Sequence, residues 1–346
     1  MRKHISLFTA LRKNAVILSA LLLIFFIAKP ADCVWVWSRE TGKFRNIDDV
    51  VKESAKDQFA FAEEMEKQEE FEKAYKSYKK LVEHFPDSVL AGRAQYRTGR
   101  CLEKVGRYSK AFQAYQAVFD KYPSFAEPES VLERQFAIAE TYYHGKKKEI
   151  PLLGIGIFSG KSDAVKFLDQ IAKNAPFSKY AEKGKFMAGV MLEQMDRYED
   201  SDSGEGAVSA YKFVVERFPD GEFADDAQFR MGMSYYAIAK KARYNRKAFD
   251  FSVMNFQKYV RLYPKGEFVE EAQSKIKELD YRGAKGTFNV ARFYEKKKKT
   301  DAALIYYREV VAKYPLSEWA EKAEIRIKAL TPEKMNNLNE NEGEGL

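Results

Sequence analysis

A chain of 346 residues, of which 45% are hydrophobic and 32% are charged, can bury a large core and still present solvated helical faces. The formal net charge is +8, and residues 1–33, with five basic residues and one acidic residue, account for +4 of it. The remainder is mildly basic and has neither a basic helix nor an aromatic RNA-binding motif, which argues against a nucleic-acid partner.

The first element in the chain is a targeting segment. A basic stretch ends at Arg12 and Lys13, and a fourteen-residue apolar segment follows at 15–28. A bilayer span needs about 20 such residues, whereas the apolar region of a secretory signal needs about 7–15. We therefore predict that residues 1–33 are a signal peptide and that the chain is exported, in a prokaryote to the periplasm or the periplasmic side of the outer membrane.

Cys33 is a candidate for lipidation. It lies five residues beyond the apolar segment, where the acylated cysteine of a lipoprotein would lie, but Asp32 stands where a small residue is preferred. Three fates stay open: lipidation of Cys33, cleavage after it by ordinary signal peptidase, and retention of the segment as an anchor. The other cysteine, Cys101, is expected to be a small buried hydrophobic residue, so no disulfide scaffold is predicted.

The segments outside the repeats are short. Residues 34–49 hold an alternating stretch with Trp35 and Trp37, so we predict an extended arm that either caps the first repeat or, beside a lipid anchor, contacts the membrane interface. Residues 331–346 are polar and almost free of large apolar residues, and we predict a disordered tail.

Between these ends one motif occurs six times: an aromatic or small residue, a proline, a short polar spacer and an apolar residue that opens a helix. The copies begin at FPDSVLA (85–91) and end at YPLSEWA (314–320), and their prolines are Pro86, Pro123, Pro176, Pro219, Pro264 and Pro315. The spacing of 37 to 53 residues is typical of stacked helical hairpins, because one hairpin cannot bury its own apolar face.

The second copy shows what each hairpin contains. Counting back from Pro123, Tyr115 lies eight residues upstream, Ala111 twelve and Gly99 twenty-four. This is the spacing of the tetratricopeptide repeat, in which small residues let two helices approach and an aromatic residue fills the space between them. We predict an all-α tetratricopeptide-repeat (TPR) superhelical solenoid. Its six helix-turn-helix repeats are expected at about 50–88, 89–126, 131–178, 179–221, 222–266 and 270–330.

Repeats three to five require more residues between the two helices than the others, so longer turns are predicted there, including 144–163 and 196–206. Another position is aromatic in every repeat, three residues before the small residue of the first helix: Phe59, Tyr96, Phe136, Phe186, Phe229 and Phe288. A surface that recognises one partner would vary from repeat to repeat. Packing between repeats is therefore the preferred interpretation of these aromatic residues, and lining of a concave groove is the alternative.

The sequence carries no recognisable catalytic, cofactor or metal site. The string GIGIFSGKS (154–162) resembles a phosphate-binding loop, but Ile155 stands where the first glycine of such a loop is required. We predict instead that the apolar loop 150–158 packs on neighbouring repeats or contacts a partner or membrane. The three histidines do not lie at metal-ligand spacing from cysteines or carboxylates. No enzyme activity, cofactor or small-molecule substrate is therefore expected.

Two basic runs, 146–148 and 296–299, each end the first helix of a repeat. Positive charge suits the carboxyl end of a helix, so solvated helix ends are the preferred interpretation. Patches for a partner protein or anionic lipid are the alternative.

An exported chain with the exit YP-x-[SG]-x-[FWY]-[AV] resembles the BamD family, the tetratricopeptide lipoproteins of the bacterial outer-membrane β-barrel assembly machinery. The segment 288–323, with its elements ARFY, AALIYY and VVAKYP, is the most family-like. Periplasmic proteins of the YbgF/CpoB type share the exit and the Ala94, Tyr96 and Gly99 spacing of the first helix. The first resemblance implies a non-catalytic scaffold at the outer membrane, and the second implies a soluble periplasmic adaptor that coordinates envelope or cell-division complexes.

The resemblance to BamD also implies the partners. The N-terminal repeats would offer a groove to an unfolded outer-membrane protein, and the C-terminal repeats would bind the barrel-forming partner. The groove candidates are Tyr96, Arg100, Phe136 and Tyr143. Arg100 is preferred because its guanidinium could pair with a client carboxylate, with plain solvent exposure as the alternative. A peptidoglycan-processing enzyme is rejected, because the signal, repeats and tail leave no segment for a catalytic domain.

Overall fold

The computed structural model describes residues 35–38, 42–46, 50–125, 127–145, 148–149, 156–157, 160–201, 204–241 and 246–331. The described residues form thirteen helices and two short antiparallel strand pairs. The signal peptide with Cys33, most of the apolar loop 150–158 and the tail beyond Thr331 lie outside them. The chain divides into two compact units, Met1–Ala126 and Glu127–Leu346.

The first unit contains a strand hairpin and two helical hairpins. Strands β1 (Trp35–Ser38) and β2 (Lys43–Asn46) pair antiparallel, with Trp37 opposite Phe44 and their ring centroids 5.0 Å apart. The predicted extended arm is thus a two-stranded hairpin. The helices, which pack in chain order, are α1 (Ala55–Lys67), α2 (Phe71–His84), α3 (Ala91–Lys104) and α4 (Tyr108–Lys121).

The second unit holds the other nine described helices, and its helices also pack mainly on their neighbours in sequence. Its first hairpin pairs α5 with α6 across a long connection that includes β3 (Lys148–Glu149) and β4 (Gly156–Ile157). The helices are α5 (Pro128–Tyr143), α6 (Lys161–Asn174), α7 (Lys179–Gln194), α8 (Ala207–Arg217), α9 (Ala224–Lys241), α10 (Arg246–Leu262), α11 (Val269–Lys296), α12 (Thr300–Lys313) and α13 (Glu318–Leu330).

The exit motif ends one helix and begins the next. Helices α4 and α12 end two residues before Pro123 and Pro315, where a proline ring no longer clashes with the helix it follows. The serine of the exit then caps the next helix: the Ser317 hydroxyl accepts a hydrogen bond of 3.2 Å from the Ala320 N–H. Ser178 and Ala181 repeat this bond at the start of α7.

The small residue of the first helix allows the second helix to approach, as its spacing predicts. A Cβ atom added to Gly99 would lie 2.5 Å from the Tyr115 ring, and one added to Gly189 would lie 2.5 Å from Tyr211. Both tyrosines are fully buried. An all-α TPR solenoid is therefore the fold of this chain.

The added residues of the long repeats are placed in different ways. Residues 196–206 connect α7 with α8 as a loop, as predicted. The prediction of a long turn in the fifth repeat is wrong, because most of its added residues continue the 18-residue α9 and the 17-residue α10. The wide spacing before the last exit comes from the 28-residue α11, whose Leu279 packs with Phe256 and whose Phe288 packs with Tyr307.

The turns of the first two hairpins share one backbone conformation. The second residue after the first helix has a positive φ, 72° at Gly106 and 59° at Glu69. In the first hairpin the N–H of Glu70 then bonds the Met65 carbonyl at 2.9 Å, the pattern that commonly ends a helix in a left-handed residue. Glycine suits this conformation, whereas Glu69 adopts it against its intrinsic preference.

Candidate protein-binding surfaces

The recurring aromatic residue of the first helix packs between repeats. Phe229 contacts the ring of Phe256, in the second helix of its own repeat, at 5.6 Å between centroids. It also stacks on Phe268, which opens the next repeat, at 4.5 Å. Phe288 contacts Tyr307 and Trp319 in the same way, at 5.3 and 5.2 Å. These contacts explain the aromatic residue near the end of the later exit motifs, such as Phe268 and Trp319, and they support the packing interpretation.

Two of the predicted groove residues take part in this packing. Phe136 is only 5% exposed and lies against Tyr180, with a centroid distance of 5.4 Å. Tyr96 is half-buried and contacts the rings of Tyr115 and Phe125, each at 5.6 Å. Phe136 therefore has little surface to offer a partner, whereas Tyr96 keeps part of its side chain accessible.

The other two predicted groove residues are half-buried. Arg100 lies one turn after Tyr96 on the same face of α3 and forms no ion pair with a described residue. Tyr143 ends α5 and contacts the ring of His144 at 5.1 Å. Tyr96 and Arg100 belong to the first unit, and Phe136 and Tyr143 belong to the second. That any of the four binds a partner stays a prediction.

The position of Arg100 in the repeat varies in chemistry from one repeat to the next. The residue that directly follows the small residue of the first helix is half-buried or exposed in every repeat. Its identity changes along the chain: Glu63, Arg100, Glu140, Val190, Met233 and Arg292. Members of this series also serve the fold, because Met233 packs on the core cluster around Phe229 and Glu140 pairs with Lys183 at 2.8 Å.

A network that the sequence analysis missed joins successive hairpins. The Tyr78 hydroxyl donates a hydrogen bond of 2.9 Å to the Glu66 carboxylate, and the same carboxylate accepts from Arg97 of the next hairpin at 3.0 Å. In the last repeat Tyr307 donates to Glu295 at 2.5 Å, and Glu295 also binds Arg326. One carboxylate thus connects the two helices of a hairpin to the helix that follows them.

The network changes the acidity of its tyrosines. Burial and the charge of Glu66 raise the pKa of Tyr78 above its usual value. Burial and the hydrogen bond to Glu295 raise the pKa of Tyr307 to about 12. A sequence signal for the network exists, since a glutamate stands four residues after the small residue in four repeats: Glu66, Glu103, Glu193 and Glu295.

A buried lysine fixes the loop between α7 and α8. Lys185 is 7% exposed and occupies the place before the recurrent aromatic residue where other repeats have a glutamine such as Gln58. Its ammonium donates to Asp169 at 2.9 Å and to Glu205 of the loop at 2.5 Å. Burial alone would lower the pKa of Lys185, but the two carboxylates raise it. The ion cluster holds the loop against α6 and α7 and is too buried to serve as a binding site.

Two cavities in the second unit are open to a partner. One of about 690 Å³ lies among α8, α9 and α10, where exposed Phe251 and Met254 stand beside Lys258 and Arg261. The other, of about 500 Å³, lies between α11 and α13 and carries four basic side chains and one acidic side chain. Each cavity thus combines apolar with charged lining side chains.

The described part of the chain shows neither a metal-binding cluster nor a membrane-spanning helix. No group of three or more histidine, cysteine, aspartate or glutamate side chains there could hold a metal ion. No helix there combines the length and the apolar character needed to cross a bilayer.

Comparison with known families agrees with the repeat architecture and also identifies the protein family. Residues 59–124 match a tetratricopeptide-repeat family. Residues 159–343, more than half of the chain, match the YfiO family of outer membrane lipoproteins. The chain belongs to this family. YfiO is the family of BamD, so the resemblance seen in the repeat exits is confirmed. Its members are protein-binding scaffolds, and the partners of this chain are accordingly proteins.

Similar solved structures are distant, and no curated protein sequence matches the chain. The C-terminal part of a TPR protein from Cytophaga hutchinsonii is 14% identical over 78% of this chain and 87% of its own, with a TM-score of 0.33. A TPR protein from Parabacteroides merdae is 10% identical over 81% and 99%, with a TM-score of 0.30. MamA from Desulfovibrio magneticus RS-1 is 13% identical over 63% and 99%, with a TM-score of 0.27. Similarity this low does not bear on function.

Proposed function

We propose that this chain is a BamD-like component of the machinery that assembles β-barrel proteins in the outer membrane. It is a non-catalytic scaffold, exported by residues 1–33 and anchored by lipid on Cys33 to the periplasmic side of the outer membrane. The observation that carries the proposal is the match of residues 159–343 to the outer membrane lipoprotein family. The repeats support it, because stacked hairpins expose long continuous surfaces for other proteins.

We assign the client-binding surface to the first helices of the N-terminal repeats, around Tyr96 and Arg100. Arg100 is half-buried and forms no ion pair with a described residue, so its guanidinium suits a carboxylate of an unfolded outer-membrane protein. In the second unit, taken by itself, Tyr143 is the half-buried candidate, and Phe136 mainly holds its own helix in place. The barrel-forming partner is assigned to the cavity among α8, α9 and α10, where Phe251 and Met254 expose apolar surface.

The anchor is tested by the intact mass of the mature protein isolated from its native envelope, with Cys33→Ala as the control. The proposal expects a mass equal to a chain that starts at Cys33 plus diacylglycerol and acyl groups, and loss of this species in the control. A bare chain that starts near Val34 would instead support the second candidate, a soluble periplasmic adaptor of the YbgF/CpoB type. Asp32 stands directly before Cys33, where lipoproteins prefer a small residue, and this departure is the reason to test the second candidate.

The role in assembly is tested separately by depletion of the protein in its own host. The proposal expects the amount of folded, heat-modifiable β-barrel proteins in the outer membrane to fall, and expects wild-type protein to restore it. The Arg100→Glu variant should restore the amount of folded barrel protein less well than the control variant Lys110→Glu, which reverses a charge on the exposed side of α4. Normal barrel levels after depletion would exclude the assembly role, whatever the state of Cys33.

A further inference from the structure

The cavity between α11 and α13 is strongly basic. Phe288 and Tyr307 form its floor, and Arg292, Lys296, Lys322 and Arg326 stand around it with Glu295 as its acidic member. Three more lysines, 297–299, follow directly at the end of α11. Lys296, the first residue of the second basic run in the sequence, is the member of that run that lines the cavity.

The charges in this cavity are only partly compensated. Arg326 binds Glu295, and Lys322 binds Glu318 at 2.7 Å. Arg292 makes no direct ion pair with a described residue but interacts with the nearby charge of Glu295. Lys296 makes no ion pair with a described residue. The repeat does not require basic residues at these two positions, because Glu140 and His144 occupy them in the third repeat. The second repeat also has basic residues there, Arg100 and Lys104, but in the last repeat Arg292 and Lys296 line a cavity and are available to an acidic ligand.

The cavity also offers an apolar contact. Ile325 on α13 is 65% exposed and belongs to its lining. A suitable occupant is accordingly a peptide segment with several carboxylates and at least one aliphatic side chain. Such a segment would meet both the cations and the exposed isoleucine.

We infer that this occupant is the tail of the same chain, residues 332–346. The tail contains four glutamates and one lysine, together with the apolar residues Met335, Leu338 and Leu346. It follows α13, which ends at Leu330, only four residues beyond Arg326. Four helical residues span about 6 Å, and fifteen extended residues reach about 50 Å. The tail can therefore turn back along α13 and place its glutamates at Arg292 and Lys296.

Attachment to the same chain makes this binding effective even when each contact is weak. A short flexible connection gives an effective concentration of about millimolar. A partner that carries an acidic segment for this cavity must then displace the tail. The tail thus sets a threshold for binding at this end of the solenoid, and salt lowers that threshold because the contacts are ionic.

The test is photo-crosslinking in the full-length protein, with p-benzoylphenylalanine in place of Ile325. The control places it at Ile305 of α12, which is equally exposed at 64%. Mass spectrometry of the digested protein identifies the crosslinked segment. We expect residue 325 to crosslink within one chain to 332–346 and residue 305 not to do so. Equal crosslinking to the tail from both positions would overturn the inference.

Charge variants then separate specific binding from proximity. Arg292→Glu with Lys296→Glu should lower the crosslinking yield about fivefold, as expected for the loss of two exposed ion pairs. Glu340→Gln, Glu342→Gln and Glu344→Gln in the tail should lower it similarly. Lys166→Glu with Lys277→Glu, two exposed lysines elsewhere in the unit, should leave it unchanged. Circular dichroism confirms that each variant is folded. An unchanged crosslinking yield in the cavity variants would contradict the inference. Crosslinks that form only between two chains would contradict it as well.

Discussion

The Glu295 carboxylate accepts a 2.5 Å hydrogen bond from the Tyr307 hydroxyl, which lies across the hairpin in the second helix of the same repeat. Because Glu295 also binds Arg326 of the following helix, one side chain holds three helices together. The first repeat does the same with Glu66. A solenoid has no central core, so contacts of this kind between neighbours carry much of its stability.

Replacement of Glu66 should weaken the first unit. Glu66→Gln removes the charge that Arg97 and Tyr78 share, and we expect a loss of about 1–3 kcal/mol, as for buried hydrogen bonds to charged groups. The midpoint of urea unfolding, followed by circular dichroism, measures the loss. Glu83→Gln is the control, because its 3.2 Å pair with Lys79 is exposed and contributes little. Equal shifts in the two variants would contradict the role of the network.

Tyr307 should make the protein sensitive to alkaline pH. Its pKa is about 12 in the folded state and about 10 when unfolded. The folded state therefore holds the proton more tightly, and the resulting stability is complete below pH of about 10 and is lost as the pH rises toward 12. Urea midpoints at several pH values should fall less steeply in Tyr307→Phe. Tyr281→Phe, a solvent-exposed control, should keep the wild-type slope.

Gly99 is required by its contact with Tyr115. An added Cβ would lie 2.5 Å from the ring, so Gly99→Ala should destabilise the protein by about 1–3 kcal/mol. Gly286→Ala is the matched control, since nothing lies within 4 Å of its added Cβ. This second change should stabilise α11 by up to about 1 kcal/mol, because alanine is the better helix former. Thermal denaturation of the two variants should show shifts of opposite sign.

In two turns with the same backbone conformation, introducing a glycine and removing one should change the stability in opposite directions. Glu69 has a φ of 59°, so Glu69→Gly relieves the strain of a left-handed residue and should stabilise the hairpin by about 1 kcal/mol. Gly106, with a φ of 72°, should lose a similar amount as Gly106→Ala. Urea midpoints provide the comparison. Destabilisation by Glu69→Gly would show that the Glu69 side chain contributes more than its strain costs.

Lys185 should be hard to replace, even by the glutamine that other repeats have at its position. Lys185→Gln leaves Asp169 and Glu205 without their buried cation, and we expect a loss of about 3–5 kcal/mol in urea unfolding. Combination with Glu205→Gln should recover part of the loss, because the buried charge is also removed. Lys212→Gln, which breaks an exposed pair of 3.6 Å with Glu216, is the control and should change little.

Several features could be predicted from local spacing because they depend on contacts within one repeat. Gly99 and Tyr115 face each other in adjacent helices, so their distance in sequence is set by helix geometry and the length of one turn. Pro123 ends one helix and Ser317 begins another through bonds to nearby backbone. The recurrence of Phe229 and its equivalents correctly favoured packing over recognition.

Other features depend on where a second repeat lies. The Glu66 network needs Arg97 from the next hairpin, and the spacing alone does not show that their side chains meet. Phe136 appeared as a groove candidate because its burial by Tyr180 of another hairpin is a tertiary effect. The added residues of the fifth repeat were assigned to a turn because the sequence does not show how far α9 and α10 continue.

The sequence by itself determined the helical repeat, its small, aromatic and proline positions and its family resemblance, because these follow from local geometry repeated along the chain. Only the tertiary structure decided which side chains remain accessible, as with half-buried Arg100 and buried Phe136. It alone also decided which charges are paired, as with Arg326, Arg292 and Lys185. Accessibility and ion pairing depend on the neighbouring repeat, and a neighbour's position is set by packing between helices that lie far apart in sequence.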